Sequence, residues 1–248
     1  MLKRYLSIIF IGVITQSCSA ENKHPTSIEL SVGSDAKLFF SSHYYEDQNL
    51  LNRNDFKNLI KLDWFEPYDV KEPSGSMKSI KNCHEFLINK DDYSEAITSE
   101  YSTFRYYLMH CLAMEKIIES KDSEKSFLPN QLVSEESPNI LPKEFIPVVS
   151  KSDREALDAM LPSARWIDGI KLIKSEDLGN NRIMFSQEGQ KQILSELARA
   201  DFNGDGLEDS LVYLRTTLDG GSWESDVIIT VTAGEDGVIR MIDVYPND

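Results

Sequence analysis

Nine residues, Asp201-Phe202-Asn203-Gly204-Asp205-Gly206-Leu207-Glu208-Asp209, constrain this chain of 248 residues more than any other stretch. Side-chain oxygens fall at loop positions 1, 3, 5 and 9, from Asp201, Asn203, Asp205 and Asp209, and the Leu207 carbonyl stands at position 7. Gly206, at position 6, permits the sharp turn that points such oxygens inward. Ca2+ takes about 6–8 oxygens at about 2.3–2.6 Å, a shell that four side chains, one carbonyl and one or two waters would fill. Three clustered carboxylates repel one another without a cation. The alternative is a tight Asx/Gly turn with solvated acids and no ion.

An EF-hand would place a bidentate Glu at position 12, where this chain has Val212. Residues 210–215 are β-branched, aromatic and apolar, and read as a strand rather than a second helix. Residues 192–199, before the loop, read equally as strand or short helix. A strand–loop–strand unit of this kind resembles the Asp-x-Asn-Gly-Asp-Gly-x-x-Asp loops of FG-GAP and related calcium-loop repeats, which occur in secreted and surface proteins. The loop occurs once, so the resemblance implies a metal loop and not a propeller.

The N-terminus limits where the chain works. Lys3 and Arg4 precede an apolar run from Leu6 to Ile14, followed by Thr15-Gln16-Ser17-Cys18. The run is too short to cross about 30 Å of hydrocarbon as a helix, and its order is that of a secretory signal. Cys18 directly after Ser17 resembles a bacterial lipoprotein signal, although Thr15 stands where Leu is usual and Gln16 is larger than the norm. The resemblance implies a signal peptide over 1–17, a lipidated Cys18, a tether over 18–27 and, with Ser19 following the cysteine, the outer membrane. An ordinary signal peptide or a loosely anchored helix is the alternative.

Cleavage there removes Lys3 and Arg4, so Lys+Arg falls from 26 to 24 against 41 Asp+Glu and the formal charge moves from −15 to −17. That balance excludes nucleic acid as a natural partner and leaves the acyl chain as the contact with the lipid bilayer. Cys83 and Cys111 remain as an even pair in an oxidising compartment, which favours a disulfide. Two buried thiols, or a Cys2His2 metal site with the adjacent His84 and His110, are the alternatives.

The fold class expected is α+β, a helical N-terminal part followed by a small antiparallel β-sheet that carries the acidic loop. Helices are expected over 54–62 and 94–120, the latter with Ile97, Tyr101, Phe104, Leu108, Cys111 and Ile118 at helical spacing, and residues 81–88 are placed to carry Cys83 to it. Prolines at 129, 138, 142 and 147 mark 127–151 as a linker between a helical region, 28–126, and a β-rich region, 152–248. Ser152 with Glu155 reads as a capping box for a helix that Pro162 closes. Strands are expected over 169–174, 182–187, 211–216, 227–233 and 238–244, with Gly234-Glu235-Asp236-Gly237 as the last hairpin turn.

Catalytic signatures are nearly absent. No nucleophile elbow, zinc-helix motif, phosphate loop or dinucleotide fingerprint occurs. Ser34-Asp35-Ala36-Lys37 lacks the Lys-Thr-Gly that would accompany a Ser-x-x-Lys nucleophile, and His43 sits in a surface-type cluster. Asp219, Glu224 and Asp226 are candidates for an extra calcium ligand from across the sheet. The order of signal, Cys-bearing helical part and loop-entered sheet resembles a group of uncharacterised bacterial lipoproteins. The expectation is a non-catalytic, membrane-anchored envelope lipoprotein that holds Ca2+ and binds or scaffolds another envelope component. A hydrolase of envelope polymers or an acidic immunity or inhibitor protein are the alternatives.

Overall fold

The computed structural model describes residues 27–33, 39–40, 50–221 and 223–245. The signal, Cys18, the tether apart from Ser27, the 34–37 motif and His43 lie outside them.

The chain is α+β, and an antiparallel sheet dominates it. Strands β5 (Leu172–Gly179), β6 (Arg182–Gln187), β7 (Gln190–Ala200), β8 (Asp209–Leu218), β9 (Glu224–Ala233) and β10 (Ile239–Tyr245) lie in chain order as a meander. A seventh strand, β1 (Ser31–Val32), extends the β6 edge of β7 beyond the end of β6. Gly33 is required there, because a Cβ on it would stand 2.3 Å from the Glu196 carbonyl oxygen. Asn180 and Asn181, both at φ 58°, form the β5–β6 turn, where twist-matched hairpins need left-handed residues. The ambiguous residues 192–199 are strand. Their alternation breaks at a bulge between Glu196 and Ala198, so Leu197 and Ala198 are both buried.

Each face of the sheet is covered by a different part of the chain. Leu211, Tyr213 and Ile228 face a core shared with the N-terminal half. Val212, Leu214, Ile229 and Val231 face a second core with Leu128, Leu132, Val133, Leu141, Phe145 and Trp166. The expected linker over 127–151 is therefore a cover for the sheet. Its prolines set the chain's turns, while its apolar residues anchor it. Trp166, fully buried, packs on Phe145 and Phe185 and donates Nε1–H to Gln192 Oε1 at 3.2 Å. Gln192 donates in turn to the Phe145 carbonyl at 3.0 Å, so this buried amide is satisfied.

The N-terminal half is not purely helical. It holds a small sheet of β2 (Tyr68–Lys71), β3 (Met77–Ile80) and β4 (Ser94–Glu95), beside α1 (Arg53–Leu59), α2 (Cys83–Ile88) and α3 (Tyr101–Glu119). The expected helix over 94–120 thus starts late, because Ser94 and Glu95 pair with β2. α1 opens on a reciprocal cap, with Asn52 accepting from Asp55 N–H and Asp55 from Asn52 N–H. Two short elements lie in the cover, α4 (Ser137–Ile140) and α5 (Lys151–Ala159). The cap of α5 is Ser150 with Asp153, two residues before the expected Ser152 and Glu155.

Cys83 and Cys111 form a disulfide, Cα–Cα 5.1 Å, that ties α2 to α3. The thiol and zinc alternatives fall with it. His84 is exposed, and His110 is buried against the rings of Phe39 and Phe40. α3 docks on the sheet through the first core and through Lys116, whose Nζ reaches Asp243 at 2.6 Å.

Candidate metal loop

Loop 201–209 joins β7 to β8 at the end of the sheet reached by the segment that leaves α3. The segment leaving α3 clasps it from outside. Lys121 and Asp201 exchange main-chain bonds at 2.8 and 3.0 Å, Glu124 N–H donates to the Gly206 carbonyl at 2.7 Å, and Glu208 N–H donates to the Lys125 carbonyl at 2.7 Å. Sequence spacing gives no hint of this clasp, because it depends on where α3 ends.

Within the loop, side-chain oxygens accept from the backbone two to five residues on. Asp201 takes Gly204 N–H at 2.6 Å and Gly206 N–H at 3.0 Å. Asn203 Oδ1 takes Asp205 N–H at 2.9 Å, and Asp205 Oδ1 takes Leu207 N–H at 2.8 Å. Gly204 and Gly206 both sit at φ 84°, the left-handed conformation this tight path requires. Asp201 and Asp209 are buried, whereas Asn203 and Asp205 are exposed.

Asp209 is the anomaly. It is fully buried, its Oδ2 takes one bond, from Phe202 N–H at 2.9 Å, and its Oδ1 has no partner. Burial pushes its pKa up to about 6. Asp205 and Asp201 add to the rise, and the neighbouring Thr232 hydroxyl and the Phe202 amide temper it. The Thr232 hydroxyl lies close enough to be felt without making a bond of ordinary geometry. Among the described residues, no lysine or arginine is ion-paired with Asp201, Asp205 or Asp209.

Among the described residues, no three His, Cys, Asp or Glu side chains are gathered as a metal shell would gather them. The loop acids are held instead by its own amides. The donor set still fits a hard cation, because an all-oxygen loop presents a buried carboxylate with an unused oxygen beside two further acids. Glu208, at position 8, turns away and takes Ser126 Oγ–H at 2.6 Å, with Arg199 Nη1 at 3.8 Å. Arg199 also bridges to Glu196 at 2.7 Å, and Ser210 donates to the same oxygen at 2.7 Å, so this second acidic cluster is internally compensated.

The expected extra ligands are not at the loop. Asp226 pairs across the sheet with Arg215, and Glu224 with Thr217, toward the opposite end of β8 from Asp209. Asp226 accepts from Tyr213 Oη–H and from Arg215 Nε and Nη2, the latter two at 2.8 and 3.1 Å. Asp219 lies near Lys191 at 3.8 Å, in the turn beyond that far end. The chain matches no family model, no curated protein and no solved structure.

Proposed function

We infer that the chain is a lipid-anchored protein of the bacterial envelope that performs no catalysis, holds Ca2+ in loop 201–209, and presents its surface to another envelope component. The anchor and location rest on the N-terminal sequence, with Cys18 as the lipid-bearing residue. The calcium reading rests on Asp209, a buried carboxylate that the protein leaves without a cation. Asp201, Asn203, Asp205 and Asp209, with the Leu207 carbonyl, would hold the ion. Among the described residues, Lys121 Nζ lies beside Gly204 without pairing with any of the three loop acids, and bound Ca2+ would supply the positive charge at the carboxylates themselves.

The role is structural. The loop is hydrogen-bonded both to the strands it joins and to the segment leaving α3, so ordering it would stiffen the seam between the two halves. Three carboxylates without a position-12 Glu suit an affinity in the range of extracellular modules, about 10⁻⁴–10⁻³ M. Calorimetric titration of Ca2+ into chelator-stripped protein carrying Cys18→Ser tests this. Saturable heat that disappears in Asp205→Ala supports the reading; absence of heat up to 10⁻² M, roughly tenfold above that range, removes the ion.

A further inference from the structure

A cavity of about 290 Å³ lies against the edge strand β10, lined by Phe127, Pro129, Asn139, Ile140, Arg165 and Ile239. Phe127, Ile140 and Ile239 make its walls apolar, and Arg165 supplies its charge. The arginine is half-buried, and one guanidinium nitrogen, Nη1, donates to the Ile239 carbonyl at 3.0 Å. In a chain with a formal charge of −15, Arg53, Arg199, Arg215 and Arg240 are each ion-paired. Arg165 is not, among the described residues.

Nearby acids are held elsewhere. Asp168 takes the Arg165 main-chain N–H at 2.8 Å, Glu136 takes Asn139 Nδ2–H at 2.8 Å, and Asp236 pairs with Arg240. Arg154, also without an ion pair, stands exposed on α5 and needs no partner but water. Arg165 differs because it lines a concave apolar space. It is also fixed in place, since Pro142 bridges to its main chain and its neighbour Trp166 is fully buried.

We propose that this cavity binds a small carboxylate with an apolar body, its head on the Arg165 guanidinium and its tail against Phe127, Ile140 and Ile239. A planar guanidinium matches a carboxylate through paired N–H donors, and apolar walls around one charged group are the usual makeup of a small-molecule site. The volume lies just below the common range of about 300–1,000 Å³, which suits a compact ligand. The cavity opens on the face of the sheet covered by 127–170, whereas Asp209 shares the other face with Leu211.

The test is calorimetric titration of the intact chain with hexanoate and, as the uncharged counterpart, hexanol. Saturable binding of hexanoate is expected, with hexanol about tenfold weaker or worse. Arg165→Gln should lose about tenfold in hexanoate affinity while staying folded, its melting temperature lowered only by the lost bond to Ile239, and Arg165→Lys should recover part of the affinity. Ile140→Phe, which fills the cavity and keeps the charge, should also weaken binding. No binding of hexanoate, equal binding of hexanol, or full affinity in a folded Arg165→Gln protein would overturn the assignment.

Discussion

Asp209 and Asp226 are buried on the same face of the sheet at opposite ends of the β8–β9 pair, and the protein treats them in opposite ways. Asp226 is 1 % exposed and is bonded by Tyr213 and by two nitrogens of Arg215. Asp209 is 0 % exposed and has one amide, a neighbouring Thr232 hydroxyl, an oxygen with no hydrogen bond of ordinary geometry and two neighbouring acids. Desolvating a carboxylate is costly in either place, and a fixed cation offsets the cost only at Asp226. The contrast teaches that burial alone does not mark a site. A buried charge with its compensation left out does.

The largest effect should come from breaking the compensated end. Asp226→Ala strands Arg215 and leaves Tyr213 Oη without its acceptor. It should cost about 2–4 kcal/mol in urea unfolding, below the full buried-pair value because Arg215 is 30 % exposed. That loss should be the same with and without Ca2+; a calcium-dependent loss would mean the two ends are coupled.

A smaller effect sharpens the other end. The Asp209 carboxyl is raised on folding, so in calcium-free buffer its contribution is present at low pH and is lost as pH rises through about 6. Wild type should therefore gain about 1–2 kcal/mol relative to Asp209→Asn between pH 7.5 and pH 4.5. Saturating Ca2+ should reverse that slope, since protons then compete with the ion. Smallest of all, Asp205→Ala at an exposed position should shift calcium-free stability by less than about 0.5 kcal/mol. Its cost should appear only once Ca2+ is present.

The sequence made some elements legible because their signals are local. β6 falls over Arg182–Gln187 as read, its apolar Ile183, Met184 and Phe185 lying in a strand with one face buried and the other half-buried. The loop's spacing and the odd–even apportioning of the cysteines were legible for the same reason. Elements fixed by tertiary contact were not. Ser94 and Glu95 carry no strand signal and pair with β2 only because the chain brings them there. Prolines across 127–151 reveal turns but not burial; Leu132, Leu141 and Phe145, all fully buried, were the overlooked sign of a cover. The Arg215–Asp226 pair was readable in principle, because the two residues are equally far from the hairpin turn at Gly220 and Gly221. The unused oxygen of Asp209, on which the calcium reading depends, is a packing fact that spacing cannot supply.

Comparing wild type with Asp209→Asn at pH 7.5, in chelator and in saturating Ca2+, tests the uncompensated charge most directly. In chelator the substitution removes a buried, unpaired charge and should stabilise the protein, by about 1–2 kcal/mol. In Ca2+ it removes an ion ligand and should destabilise, so the difference in melting temperature changes sign. A shift of the same sign in both buffers would contradict the account: Asp209 would then be compensated within the protein, and the loop would be an acidic turn without an ion.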